Sequence, residues 1–265
     1  MNTVHHDAAI HHDATIQDQF TRQAEPFVER HGRGKDALLD AMAACGEFRA
    51  EDTLLDVACG PGIVSCYLAQ RVHHVTGLDV VPAMLERARR LQTERGVPNA
   101  TWSPGLSTEL PFTAGSFEGV VTRFSLHHFL EPAAALREMK RVAKPGGTIV
   151  VCDVAPDPET QERFDHWEKL RDPSHTQALT AAEMEALGEA AGLSLHAKQM
   201  CMLEMDLENL LAGSFPKDGD AERIRALFAE EIQAGTDMLG VAARRKDGAV
   251  QIAYPVAVFA WHNCD

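Results

Sequence analysis

The segment LLDVACGPG, Leu54–Gly62, carries the clearest structural signal in the chain. A short apolar run carries an acid, Asp56, and stops against Cys-Gly-Pro-Gly. The run TLLDVA (53–58) reads as a buried strand, and the glycines as a tight turn feeding a helix over Pro61–Gln70. Gly60 and Gly62 have no Cβ, so a ligand can approach the backbone closely. Free amides at the start of the following helix favour negative charge such as a carboxylate.

Working outward, HVTGLD (74–79) reads as a second strand ending in Asp79, and Pro82 opens a helix running to Glu94. Ala100–Ser103 is a weak third strand and FEGVVTRF (117–124) a fourth. Pro132–Ala143 is helical, Lys144-Pro145-Gly146-Gly147 reads as a sharp turn, and TIVVCD (148–153) is a fifth strand. Strands alternating with helices predict an α/β fold, a doubly wound, mostly parallel sheet with right-handed crossovers. Beyond Asp153, helices are expected over about 158–171, 181–191, 206–213 and 220–234, with late strands at LSLHAKQM (193–200) and AYPVAVFAW (253–261). Arg244-Arg245-Lys246 before Asp247-Gly248 reads as a solvated hairpin turn. Upstream, Ile16, Phe20, Ala24 and Phe27 recur at helical spacing within 16–30. Gly32 and Gly34 break that helix, and Lys35–Cys45 forms a second. The expectation is one domain: 1–50 a helical lid, 51–155 a ligand-binding core, 156–240 a cap with a late strand, and 241–265 a closing strand.

Composition narrows the function classes. The chain has 265 residues, 45% of them hydrophobic, enough for a sizeable core. Lys+Arg number 25 against 39 Asp+Glu, a net charge of -14, which repels phosphate backbones and anionic lipids. Neither nucleic acid nor membrane is expected as a partner. No stretch approaches the roughly 20 apolar residues of a membrane span. The first residues are polar and His-rich without the apolar run of a signal peptide, so a cytoplasmic protein is expected. His5, His6, His11 and His12 read as a frayed terminus rather than a metal site. Six cysteines, with no CxxC pair, give no zinc or redox motif, and no metal is expected.

The two acids suggest the ligand. Asp79 stands 19 residues beyond Gly60, and an acid there can accept from both hydroxyls of a ribose. Asp56 can accept from an ammonium group or a loop N–H. Both features also suit a nicotinamide-dependent oxidoreductase. Such a site wants GxGxxG to admit a pyrophosphate, whereas Gly60, Gly62 and Ser65 make GxGxxS. A nucleoside bearing an amino acid fits this loop better.

The ordered series DVACGPG, GLDVVPAML, LPFTAGSFEGVVTRFSLHHF and VAKPGGTIVVCD resembles the motifs of class I S-adenosylmethionine-dependent methyltransferases, nearest the type 11, ubiquinone/menaquinone-biosynthesis-like small-molecule group. The resemblance covers about 16–155 well and 156–200 more loosely. It implies a seven-stranded sheet with an antiparallel last strand. It also implies S-adenosyl-L-methionine as cofactor, S-adenosyl-L-homocysteine as product, and a small-molecule acceptor methylated on O, N or C, as in secondary metabolism. A monomer or homodimer is expected. Carried over residue by residue, Asp56, Ala58, Gly60 and Gly62 line the methionine part, Asp79 holds the ribose, and Val80 and Met84 pack near the adenine. Leu106, Ser107 and Thr108 flank the adenine, Arg123 and Phe124 lie beneath the cofactor, Phe20 and Gln23 form the lid, and His128 is a further contact. In the family an acid often precedes the Leu-Pro-Phe turn and accepts from the adenine amino group; here that position is Leu106. Losing one such bond costs on the order of 1 kcal/mol.

Methyl transfer is an in-line displacement, for which the protein supplies orientation and a dry pocket. A base is needed only when the nucleophile must lose a proton. His127, after the fourth strand, and His175, in the cap segment Arg171-Asp172-Pro173-Ser174-His175, are the catalytic candidates, with Asp153 also at a strand end. Met184, Met200, Met202 and Met205 suit an apolar substrate pocket or an ordinary core. A methyltransferase-like protein that binds the cofactor for another reaction is the other alternative, because fold does not fix chemistry.

Overall fold

A computed structural model of the chain describes residues 2–31 and 36–264, with side chains at 12–28 and from 36 onward. The side chains of His5, His6 and His11, and the break at Gly32 and Gly34, lie outside the described residues. The strands are β1 (Thr53–Val57), β2 (His74–Asp79), β3 (Ala100–Pro104), β4 (Phe117–Arg123), β5 (Ala143–Val154), β6 (Leu193–Asp206), β7 (Arg244–Lys246) and β8 (Ala249–Asn263). The helices are α1 (Asn2–His31), α2 (Ala37–Gly46), α3 (Ile63–Leu68), α4 (Pro82–Arg95), α5 (Pro132–Val142), α6 (Gln161–Arg171), α7 (Ala181–Ala190), α8 (Leu207–Ala212) and α9 (Asp220–Ala234).

The strands form one sheet in the order β3-β2-β1-β4-β5-β8-β6, with β7 paired to β8 as a hairpin. The first five run parallel, and β8 is antiparallel to both β5 and β6. The expected seven-stranded, mostly parallel Rossmann-like sheet is therefore present, plus the short β7. Chain order reverses between β1 and β4, and the carboxyl ends of strands flanking such a point are where open α/β sheets bind ligands.

Both sheet faces are covered, so β1 alternates between two cores rather than between core and water. Leu54 joins the cluster containing Val121, Trp167 and Phe228, whereas Leu55 and Val57 join the one with Leu136, Met139 and Trp261. A smaller cluster, Ala24, Val81 and Met84 with Ile16 and Phe20, fixes α1 against α4. Two expectations are corrected. Lys144-Pro145-Gly146-Gly147 is not a turn between elements but an irregularity inside β5, where the register against β4 shifts between Phe117 and Gly119. Gly146, at φ +75°, supplies the left-handed residue this needs. The first helix does not begin near Ile16; it runs from Asn2 without a break at Pro26. No helix among the described residues is long and apolar enough to cross a membrane.

Candidate functional site

The turn after β1 is held by backbone bonds: Cys59 N–H donates to Leu78 O (2.9 Å) and Gly62 N–H to Cys59 O (3.0 Å). Its two glycines do different work. A Cβ on Gly60, at φ +51°, would meet nothing within 4 Å, because this residue borders an open cavity. A Cβ on Gly62 would stand 2.5 Å from the Trp102 ring and 3.0 Å from Ala88. Gly62 therefore serves the packing of α3 against β3 and α4. Ala58 sits at φ +54° and Phe124 at φ +52°, both in the left-handed region that a side chain disfavours. Both border the same cavity, and strain of this kind concentrates at functional sites.

The cavity measures about 290 Å³ and opens over the carboxyl ends of β1, β2 and β4. Asp56 and Asp79 both line it, and both are buried. Asp56 accepts from the Ser65 hydroxyl (2.5 Å). Burial nevertheless pushes its carboxyl up to about 7, with the Asp79 charge adding to the effect. Asp79 accepts from Gly60 N–H and Val81 N–H, both at 2.8 Å, yet burial raises it to about 6. Two carboxyls held this high form a floor that favours a ligand carrying positive charge and hydrogen-bond donors. Arg123 does not neutralise them fully, since its guanidinium is paired with Asp36 (2.8 Å) at the N-cap of α2.

Helix α1 supplies one wall through His12, Asp13, Ile16, Phe20 and Phe27. His12 Nε2 donates to the carbonyl of His128 (2.8 Å), Gln19 to that of Ser214, and Gln23 to Asp172 (3.1 Å). Glu25 pairs with Arg87 (2.9 Å) and with Arg90 on α4.

A second cavity of about 80 Å³ adjoins the first and shares Phe20, Phe27, Phe124 and His128 with it. Its floor is polar: Glu168 accepts from Arg171 (2.6 Å) and from the Tyr254 hydroxyl (2.5 Å). His127, on the 3₁₀ turn Leu126–His128 after β4, faces this cavity. Its Nδ1 lies 2.5 Å from Asp153 at the end of β5. Burial opposes the imidazolium, but the Asp153 carboxylate outweighs it and raises His127 above its ordinary value. His128 behaves oppositely. Burial, then the neighbouring His127, pushes it down to about 3, so it stays neutral. His128 Nδ1 donates to the Ser174 carbonyl (3.1 Å), which leaves Nε2 as a bare acceptor. Among the described residues, no group of three His, Cys, Asp or Glu is arranged to hold a metal ion.

Of the residues singled out from sequence, Phe20, Asp56, Ala58, Gly60, Asp79, Val80, Met84, Leu106, Ser107, Arg123, Phe124 and His128 surround the first cavity. Gln23 and His127 line only the second, and Gly62 lines neither. His175 also lines neither. It is buried with Nε2 2.7 Å from Asp165, behind the cavity wall. Among the methionines, Met205 borders the second cavity and Met184 is core, while Met200 and Met202 are exposed. Sequence reading missed the Glu168–Tyr254 pair, 86 residues apart, and the cavity role of His12 and Asp13. Glu168 and Arg171, three residues apart on α6, were a usable signal.

Residues 55–151 match a family model described as a methyltransferase domain. The chain is 30% identical over 211 residues to the uncharacterized methyltransferase YcgJ of Bacillus subtilis, covering 78% of this chain and 83% of that protein. It is 34% identical over 145 residues to the demethylmenaquinone methyltransferase of Clavibacter sepedonicus. That match spans 53% of this chain and only 58% of the relative. Among solved structures, a putative methyltransferase from Bacillus halodurans shares the fold at a TM-score of 0.79 and 21% identity, covering 87% of this chain and 100% of that one.

Proposed function

Because this chain belongs to the class I S-adenosylmethionine-dependent methyltransferases, we propose that it methylates a hydroxyl of a small, largely apolar ring compound. The acceptor occupies the second cavity and the donor the first. Family membership removes the nicotinamide-dependent alternative.

The first cavity fits the donor by charge as well as by shape. S-adenosylmethionine, when bound, supplies an electrophilic methyl on a sulfonium, with an ammonium and two ribose hydroxyls as further groups. Asp79 would hold the ribose and Asp56 would face the amino-acid part, where each buried carboxylate gains a donor beyond those it already has. Gly60 leaves room for that approach. Val80 and Met84 would pack against the adenine beside Leu106 and Ser107.

The observation that carries the acceptor reading is the His127–Asp153 pair, whose imidazole lines the second cavity beside His128, a residue that both cavities share. Asp153 fixes the Nδ1–H tautomer, so Nε2 is the basic nitrogen. His127 Nε2 takes the proton that an acceptor hydroxyl releases as it is methylated, and Asp153 stabilises the resulting imidazolium. Neutral His128 accepts a hydrogen bond and orients the acceptor. Phe20, Phe27 and Phe124 supply flat apolar walls suited to a ring. One relative is named demethylmenaquinone methyltransferase, after a quinone acceptor.

The test is transfer of labelled methyl from S-adenosylmethionine to a panel of small phenols and hydroxyquinones. Label on oxygen, lost in His127→Gln while donor affinity is kept, supports the reading. Donor binding with no methyl delivered to any acceptor favours the non-methylating alternative. Transfer undiminished by His127→Gln removes the base.

A further inference from the structure

Five large hydrophobic side chains are exposed among the described residues: Leu106, Leu130, Leu195, Met200 and Met202. The first two border the donor cavity. The other three all lie on β6, which ends the strand order and pairs on one side only, with β8. Edge strands are normally short, or broken by proline, bulges and charge, because their free N–H and C=O groups invite another strand. This one is 14 residues long. After the irregularity between Leu195 and Ala197, it runs ten residues to Asp206 with no proline or glycine and with one lysine.

Along that run the two faces differ. Ala197, Cys201, Leu203 and Met205 pack against the core, whereas Lys198, Met200, Met202 and Glu204 face solvent. The solvent face is self-complementary. Two copies of β6 placed antiparallel about a two-fold axis through Cys201 set Lys198 opposite Glu204 of the second copy, and Met200 opposite Met202. Residues opposite each other then share a face in both copies, as antiparallel pairing requires. Centring one step along, on Met200 or Met202, breaks this match. The first places Lys198 opposite Met202, and the second places Glu204 opposite Met200. Lys198 already bonds Glu185 (2.9 Å) and Glu204 already bonds Arg244 (2.7 Å), so the match joins two surface pairs into one four-charge row across the seam.

We propose that β6 is a homodimer interface, in which two sheets join edge to edge through antiparallel β6 strands centred on Cys201. The partner is a second copy of this chain. Ten residues from each side make an interface of modest area, so assembly is concentration-dependent. The first cavity opens over β1, β2 and β4, away from the seam, while Leu203 and Met205 line the second from the core-facing side of β6.

The test is molar mass by light scattering or sedimentation over a concentration series, for the full chain and three variants: Lys198→Glu, Glu204→Lys and the double exchange. Wild type is expected to reach twice the mass of one chain. Each single reversal sets like charges opposite each other at two symmetric places, and is expected to raise the midpoint concentration by at least about tenfold. The double exchange restores opposite charges across the seam, though not the pairs with Glu185 and Arg244, and is expected to associate more tightly than either single reversal. Circular dichroism melts confirm that each variant is folded. A wild type that stays at one chain mass throughout overturns the proposal. So do single reversals that associate like wild type, or a double exchange no better than the singles.

Discussion

His127 Nδ1 and Asp153 Oδ1 lie 2.5 Å apart, both residues buried, with His127 lining the second cavity. Asp153 is itself fixed: its other oxygen accepts from Ser125 N–H (3.0 Å) and Leu126 N–H (2.7 Å). The imidazole is thus aimed by a carboxylate that the backbone holds in place. A base so held has one orientation and one tautomer.

Asp153→Asn is expected to lower kcat by about 100-fold, the usual scale for a general base. Its pH profile carries the sharper signature. Asp153 raises His127, so wild-type activity should fall with acid through a value above 6.5. In the variant that limb should move to lower pH. A pH profile unchanged by the substitution contradicts the pairing.

The carboxyls of the donor cavity give a second pH effect. Asp56 at about 7 and Asp79 at about 6 are protonated as pH falls, and a cationic ligand then loses its partners. Affinity for S-adenosylmethionine should drop as pH is lowered through 7 and then 6. Calorimetric titration between pH 5 and 8.5 measures this; a flat profile would contradict the assignment of both acids.

The same shift acts on stability with the opposite sense. Asp56 has a folded value above its ordinary 3.8, so the native state holds the extra proton between those values. Its contribution to stability is complete below the lower value and is lost as pH rises through about 7. Asp56→Asn keeps an oxygen for the Ser65 hydroxyl and removes the buried charge. It should raise Tm at pH 8 by about 2–4 °C while weakening donor binding. A lower Tm would show that the charge is better compensated than burial implies.

Leu106, expected from sequence to stand where an acid often does, borders the donor cavity and is partly exposed. Leu106→Asp should tighten S-adenosylhomocysteine binding by about fivefold, one hydrogen bond of about 1 kcal/mol. Unchanged affinity would place the adenine elsewhere.

Much of this was legible in the chain itself. Leu54–Val57 and His74–Asp79 are apolar runs closed by turn residues, so the strands and both acids at their ends could be read directly. Boundaries failed where tertiary context overrode local signals. Lys144-Pro145-Gly146-Gly147 has the chemistry of a turn, yet pairing with β4 absorbs it as an irregularity in β5. Residues before Ile16 lack a clear apolar stripe, and the hydrogen bond from His12 to the His128 carbonyl is a long-range contact that no local pattern announces. His175 and His127 looked alike in sequence. Only packing turns one toward Asp165 behind the wall and the other toward a cavity.

The glycine turn and Asp79 together should hold the methyl donor. Calorimetric titration with S-adenosylhomocysteine of wild type, Gly60→Val and Asp79→Ala at pH 8 tests it most directly. One molecule should bind per wild-type chain. A side chain on Gly60, at φ +51°, strains the turn although the space beside it is open, so circular dichroism melts first confirm that both variants are folded; both should then bind at least about tenfold more weakly, the scale of a lost charge-assisted hydrogen bond. Equal affinity in all three proteins, or no binding to wild type, would contradict the account.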